Sequence, residues 1–205
     1  MSIVQKQPRL HPIGEPEYLL QTRAIGVLKG VIAPNGVITL TGEFRVKALT
    51  LEAEVHGLVL KLLKEGENSA MFVVYPQTKD GRVNKLQVIG VWKPSILDPN
   101  SGAQDDLPEE FSIRGEVCKR VWCDDNYGRN VSVKVFGDHF VTVDFIDAPR
   151  LSKGDFVSMD AILTKDGRLR TKWVEKIPVS EAAFARPRQI IRPGRQVRRR
   201  SSAAN

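Results

Sequence analysis

Two hydrophobic periods run along the chain, and the switch between them marks its elements. Residues 23–32 read as a strand, Pro34-Asn35-Gly36 makes a tight turn, and residues 37–40 continue as a second strand. A third strand is predicted over 44–49. The period then lengthens: Leu51, Val55, Leu58, Val59, Leu62 and Leu63 fall on one stripe of a helix, with Glu52, Glu54, Lys61 and Lys64 off it. Thr50 suits the helix start. Gly57 lowers helix propensity there by about 1 kcal/mol, so a strand stays open as the alternative. Strands over 70–75 and 85–92 complete the order β-β-β-α-β-β.

The second half opens with a strand over 111–122, in which Gly115 marks a sharp bend where one strand serves two sheets. Val131-Ser-Val-Lys-Val135 and Val141-Thr-Val-Asp-Phe145 alternate as half-buried strands do. A loop through Leu151 to Asp155 leads into a strand over 156–163, Asp166-Gly167 turns the chain, and residues 168–177 close the set. Again there are five strands. Between the halves, residues 98–110 are acidic, rich in turn formers and poor in apolar side chains, as expected of an exposed linker.

A five-stranded antiparallel unit with a long bent first strand and an optional helix between strands three and four resembles the OB-fold barrel. Phe111-Ser-Ile-Arg-Gly-Glu-Val117, Lys153-Gly154-Asp155-Phe-Val157 and the helix over 51–63 carry the resemblance. The expected architecture is mainly β: two consecutive OB-fold-like barrels, the first with the helix, plus a disordered basic C-terminal tail. Its parts are a flexible leader (1–18), barrel 1 (19–97), the acidic linker (98–110), barrel 2 (111–180) and the tail (181–205). Arg23-Ala-Ile-Gly-Val27, Val74-Tyr-Pro-Gln-Thr78, Leu86-Gln-Val-Ile-Gly-Val-Trp92 and the opening of barrel 2 together resemble a cyanobacterial family of tandem barrels over about residues 19–120. That likeness implies architecture and no activity.

Composition adds a partner. The chain has 205 residues, with 31 Lys and Arg against 24 Asp and Glu, a formal charge of +7. The excess belongs to Arg186, Arg188, Arg192, Arg195, Arg198, Arg199 and Arg200, so the body ahead of them is close to neutral. With Pro187, Pro193 and Gly194 among them and few apolar residues, this tail is expected to be disordered when free. Arginine binds phosphate with two prongs and stacks on bases, which suits a nucleic-acid arm; a solubilising end is the plainer use. No apolar run is long enough for a membrane span and the first residues lack a signal-peptide core, so the protein is expected in the cytoplasm, with no membrane partner.

Catalytic signatures are absent: there is no phosphate-binding Gly-x-x-x-x-Gly-Lys, no Gly-x-Gly-x-x-Gly, no His-Glu-x-x-His and no Gly-x-Ser-x-Gly. Cys118, Cys123 and His139 lack zinc-site spacing, and Asp138, Asp144 and Asp147 fit solvated strand positions better than a nuclease cluster. The expectation is a non-enzymatic protein without metal or cofactor.

A binding surface is better supported. If Val131, Val133, Val135, Val141, Val143 and Phe145 point inward, the outer face of barrel 2 presents Lys134, Phe136 and Phe140. Ile113 and Val117 inward would leave Arg114, Arg120 and Trp122 outside as well. Tyr127 and Arg129 occupy the first loop, and Arg168, Arg170 and Lys172 line the last strand opposite Leu169 and Trp173. Lys79, Arg82 and Lys85 flank the late loop of barrel 1. Exposed rings beside cations suit single-stranded nucleic acid, where a stacked base is worth about 1–3 kcal/mol. The same rings would equally suit packing between domains, while Trp92 and Trp173 are expected in the core. The expected partner is single-stranded DNA or RNA, bound with low sequence selectivity; the alternative is an adapter subunit of a larger protein or ribonucleoprotein assembly.

Overall fold

The computed structural model describes residues 11–40, 48–49, 53–122, 129–145 and 151–179. In the first half lie β1 (Arg23–Ile32), β2 (Ile38–Leu40), β3 (Ala48–Leu49), α1 (Ala53–Lys64), β4 (Ser69–Lys79) and β5 (Arg82–Trp92). The second half holds β6 (Glu110–Trp122), β7 (Arg129–Phe136), β8 (His139–Phe145), β9 (Phe156–Leu163) and β10 (Leu169–Ile177). There β6 pairs with β7 and β9, β7 with β8, β8 with β10 and β10 with β9, closing a ring of five strands. The first half follows the same path: β1 pairs with β2 and β4, β4 with β5, and β5 with β3. In both halves strands three and five pair in parallel and every other ladder is antiparallel. Two mainly β barrels of OB-fold type therefore follow one another, with α1 between strands three and four of the first.

The elements form where the hydrophobic periods require. Val55, Val59 and Leu62 are buried on one stripe of α1, which packs against β5; Thr50 and Leu51 lie outside the described residues. β4 runs past Pro76, where a strand is not expected to continue. The proline is tolerated because the β1 ladder on that edge has ended at Val74, so its missing N–H leaves no gap there. Gly115 divides β6: residues 110–116 pair with β1 and β9, and residues from Glu116 onward pair with β7. A Cβ at Gly115 would stand 2.1 Å from the Lys134 carbonyl oxygen, so only glycine lets β7 cross that closely.

The barrels are joined by main chain. Residues 23–27 of β1 pair antiparallel with 110–114 of β6, so each barrel's first strand completes its neighbour's sheet. Phe111, fully buried, lies opposite Gly26 with its ring where a side chain would be, 2.3 Å from the Cβ that Gly26 lacks. Further along, the β4–β5 hairpin follows β8. The Thr142 amide donates to Thr78 Oγ1 (2.9 Å), and the Val83 amide donates to the Gly167 carbonyl (2.7 Å). Buried apolar residues of both halves form one continuous cluster.

The acidic linker runs on the surface but is tied down. It follows a short α2 (Pro94–Leu97) and opens with a single 3₁₀ turn at Pro99–Ser101. The Trp92 indole donates to the Gln104 carbonyl (2.9 Å), Ser95 donates its amide and hydroxyl to the Asp105 carboxylate (2.9 and 2.6 Å), and Lys93 pairs with Asp105 at 3.2 Å. Burial alone would raise the Asp105 carboxyl's pKa, yet the Ser95 bonds and the Lys93 ammonium outweigh it and hold the group below its ordinary value. Glu109 accepts the Lys29 amide of β1 (2.8 Å), which sets the chain in line to enter β6.

Both close approaches are open to direct test. Gly115→Ala is expected to cost about 3 kcal/mol, because the added methyl meets main chain, and Gly26→Ala about 2 kcal/mol, because it meets a ring held in a full core. Urea unfolding of each variant checks this; midpoints equal to the parent's would contradict the packing described.

Candidate nucleic-acid interface

The junction of the barrels leaves a groove of about 440 Å³. One wall is the outer side of β4 and β5, with Tyr75, Gln77, Asn84 and Gln87; the other is the β7–β8 hairpin, with Phe136, His139 and Phe140. Strand alternation sets the first wall: Pro76, Leu86 and Val88 point into barrel 1, so Tyr75, Gln77 and Gln87 point out. A bulge sets the second. Lys134 lies opposite Phe140 and Phe136 opposite His139, so the extra residue is Val135, which stays buried while Phe136 remains outside. Gly137 (φ 51) reverses the chain between them.

The rings at this junction touch across the two barrels yet stay open. Phe136 sits 6.2 Å from Tyr75 and 4.8 Å from His139, centroid to centroid, in tilted arrangements. Phe136 and Phe140 are each 45% exposed. Packing between the barrels thus leaves both rings partly open to solvent. Lys134, half exposed, stands 3.9 Å from Asp138, which is fully exposed, so the pair is loosely held and its cation stays available.

Other expected site residues are placed differently. Arg114 is corrected: it is 6% exposed, and its guanidinium donates to Ser158 Oγ (2.8 Å) and to the carbonyls of Leu19 (2.7 Å) and Gln21 (3.4 Å), fastening the chain ahead of β1 onto barrel 2. Burial, with a smaller effect of Arg114 itself, also lowers the pKa of neighbouring Arg23, whose guanidinium binds Ser112 Oγ and the Gly14 carbonyl. Residues 14–21 are in this way held at their carbonyls. Arg168 pairs with Asp144 (3.3 Å) and Asp166 (3.1 Å), whereas Arg170 and Lys172 are exposed.

Trp173 is the second correction. The β9–β10 ladder slips at Lys172, so Trp173 falls opposite exposed Asp160 and is itself 49% exposed, while Val174 takes the place facing buried Met159. Trp92 is half-buried, with its indole bonded to the linker. Of Arg120, Trp122 and Arg129 the strand positions alone are described: Arg120 lies opposite Val131, and Trp122 opposite Arg129 at the end of the β6–β7 ladder. Tyr127, Cys123 and the arginines from Arg186 to Arg200 lie outside the described residues.

The groove itself was missed by the sequence reading, for its walls are some sixty positions apart. A signal was present: Gln77, Lys85 and Gln87 alternate with Leu86 and Val88, marking an outward polar face beside Tyr75. Among the described residues, no group of three or more His, Cys, Asp and Glu is gathered to hold a metal ion, and no helix is long and apolar enough to cross a membrane.

Fold and site define a tandem OB-fold protein whose exposed rings gather where the barrels meet. Residues 24–99, from β1 through the turn after α2, match the family described as PatR RNA-binding protein, N-terminal OB-fold domain. No curated protein and no solved structure matches the chain.

Asp144 offers a titration test of the Arg168 network. Burial raises its pKa above the ordinary value, with the Arg168 bond and charge opposing. The folded state therefore takes up a proton before the unfolded chain does, and the ionised carboxyl costs stability that grows as pH rises through that interval. Asp144→Asn is expected to be more stable than the parent at neutral pH and to lose that advantage in acid. Thermal melts across pH check this; a deficit widest at neutral pH would contradict it.

Proposed function

We propose that this is a non-enzymatic nucleic-acid-binding protein that takes single-stranded DNA or RNA across the junction of its barrels, with low selectivity along most of the strand. The observation that carries this reading is the pair of half-exposed rings, Phe136 and Phe140, set on a rigid hairpin beside Lys134. Bases on a single strand expose both faces, so such rings recover stacking without needing a particular sequence. Arg170 and Lys172 on β10, and Lys79 and Arg82 at the β4–β5 turn, are exposed cations for phosphates. RNA binding in the name of the matching family agrees with this use of the fold.

The body is neutral as a whole, so the seven arginines from Arg186 onward supply the sequence-independent share of affinity. Arg120, Trp122, Tyr127 and Arg129, which fall at the end of β6, in the connection and at the start of β7 in the sequence, are further proposed contacts. One observation favours a second use, as an adapter within a larger protein or ribonucleoprotein assembly: Trp173, Tyr18 and Leu19 are about half exposed and lie outside the groove.

Titration of a labelled single strand at several salt concentrations tests the reading. Binding is expected to weaken steeply with salt, with a slope of about −0.7 per phosphate neutralised, and a chain ending at residue 185 is expected to show a flatter slope. Phe136→Ala with Phe140→Ala is expected to lower affinity by about 1–3 kcal/mol per stacked base while leaving the melting temperature near the parent's. Undetectable binding at low salt, or binding indifferent to salt and to both substitutions, would overturn it.

A further inference from the structure

Neutral side chains dominate the groove between the barrels. Lys79 and Asp138 are its only formally charged lining residues among those described, and they oppose one another in sign. It is thus poorly suited to hold a phosphate. Three carboxamides, Gln77, Asn84 and Gln87, line one wall, and among the described residues none of the three makes a side-chain hydrogen bond within the protein. Across from them stand Phe136, His139 and Phe140, with Tyr75 beside Phe136.

A carboxamide presents a donor next to an acceptor, the pattern that matches the edge of a nucleobase, while an aromatic ring matches its face. The volume of about 440 Å³ lies in the range of about 300–1,000 Å³ typical of small-ligand sites, room for one nucleoside and not for a duplex. The walls are also fixed. Thr78 holds the β8 edge and the Val83 amide holds Gly167, so little ordering is left to be done on binding.

From these features the geometry points to a reading pocket for a single unstacked nucleobase, in which Asn84 and Gln87 recognise the base edge while the rings of the hairpin cover its face. This deepens the proposed function and rests on it. A strand bound with little selectivity elsewhere is then read at one nucleotide. The phosphates on either side of that nucleotide stay at the rim, where Lys79 is exposed, and beyond it toward Lys134.

The test uses the full chain and labelled single strands of about ten nucleotides made of A, C or U alone. The parent is expected to discriminate among the three by about fivefold or more. In the Asn84→Ala, Gln87→Ala double variant that spread is expected to fall below about twofold with the salt slope unchanged, since phosphates are not touched. Both residues are on the surface, and an unchanged melting temperature will show that the fold is intact. Photocrosslinking of the preferred strand is expected to label peptides carrying Tyr75, Phe136 or Phe140. Tight binding with equal affinity for all three strands overturns the pocket while leaving nucleic-acid binding in place, as does discrimination that survives the double variant. Failure to bind any strand removes the proposed function and the pocket with it.

Discussion

The antiparallel ladder between β1 and β6 is the constraint on which the rest of this molecule depends. In an isolated barrel the first half of each of these strands would present a row of unpaired amides and carbonyls, an edge open to association. Here each edge is satisfied by the other, and the seam is sealed by Phe111 lying over Gly26. The glycine is needed for what it lacks: its absent side chain is the space the ring fills. Two barrels sharing an edge in this way cannot rotate past one another without breaking main-chain hydrogen bonds.

What the seam produces is a fixed relation between surfaces far apart in sequence. Once β1 and β6 are paired, the β4–β5 hairpin of the first barrel is carried along β8 of the second, where Thr78 caps the Thr142 amide and Tyr75 reaches Phe136. The second barrel's outer face is thereby narrowed, but it is not covered. Phe136 and Phe140 keep nearly half their surface, and the gap between the walls becomes the groove. The same contact explains why the rings serve both packing and exposure: they line the mouth of an interface instead of its middle.

Much of this was legible from residue order. The strands β1 and β9 keep their predicted bounds to the residue, the stripe on α1 lands on the core as its period requires, and Gly115 bends β6 where one strand passes from sheet to sheet. The failures share a cause. Alternation carried across Lys172 predicts Trp173 inward, and the slipped residue there turns it outward and gives its place to Val174. Arg114 does stand on the outer side of barrel 2, but the carbonyls of Leu19 and Gln21 cover it there, and local periodicity carries no information about what a distant segment will lie upon. For that reason the pairing of β1 with β6 had no local signature, and of the groove it builds only the polar outer face of β4 and β5 beside Tyr75 was marked.

Hydrogen exchange at the seam tests this account most directly. If the barrels are one cooperative body, amides of residues 23–27 and 110–114 that bond across the β1–β6 ladder will exchange as slowly as those in the interior ladders of each barrel, opening only with the whole fold. Fast exchange confined to those two segments, with both barrel interiors still protected, would show two independent barrels in loose contact and would contradict it.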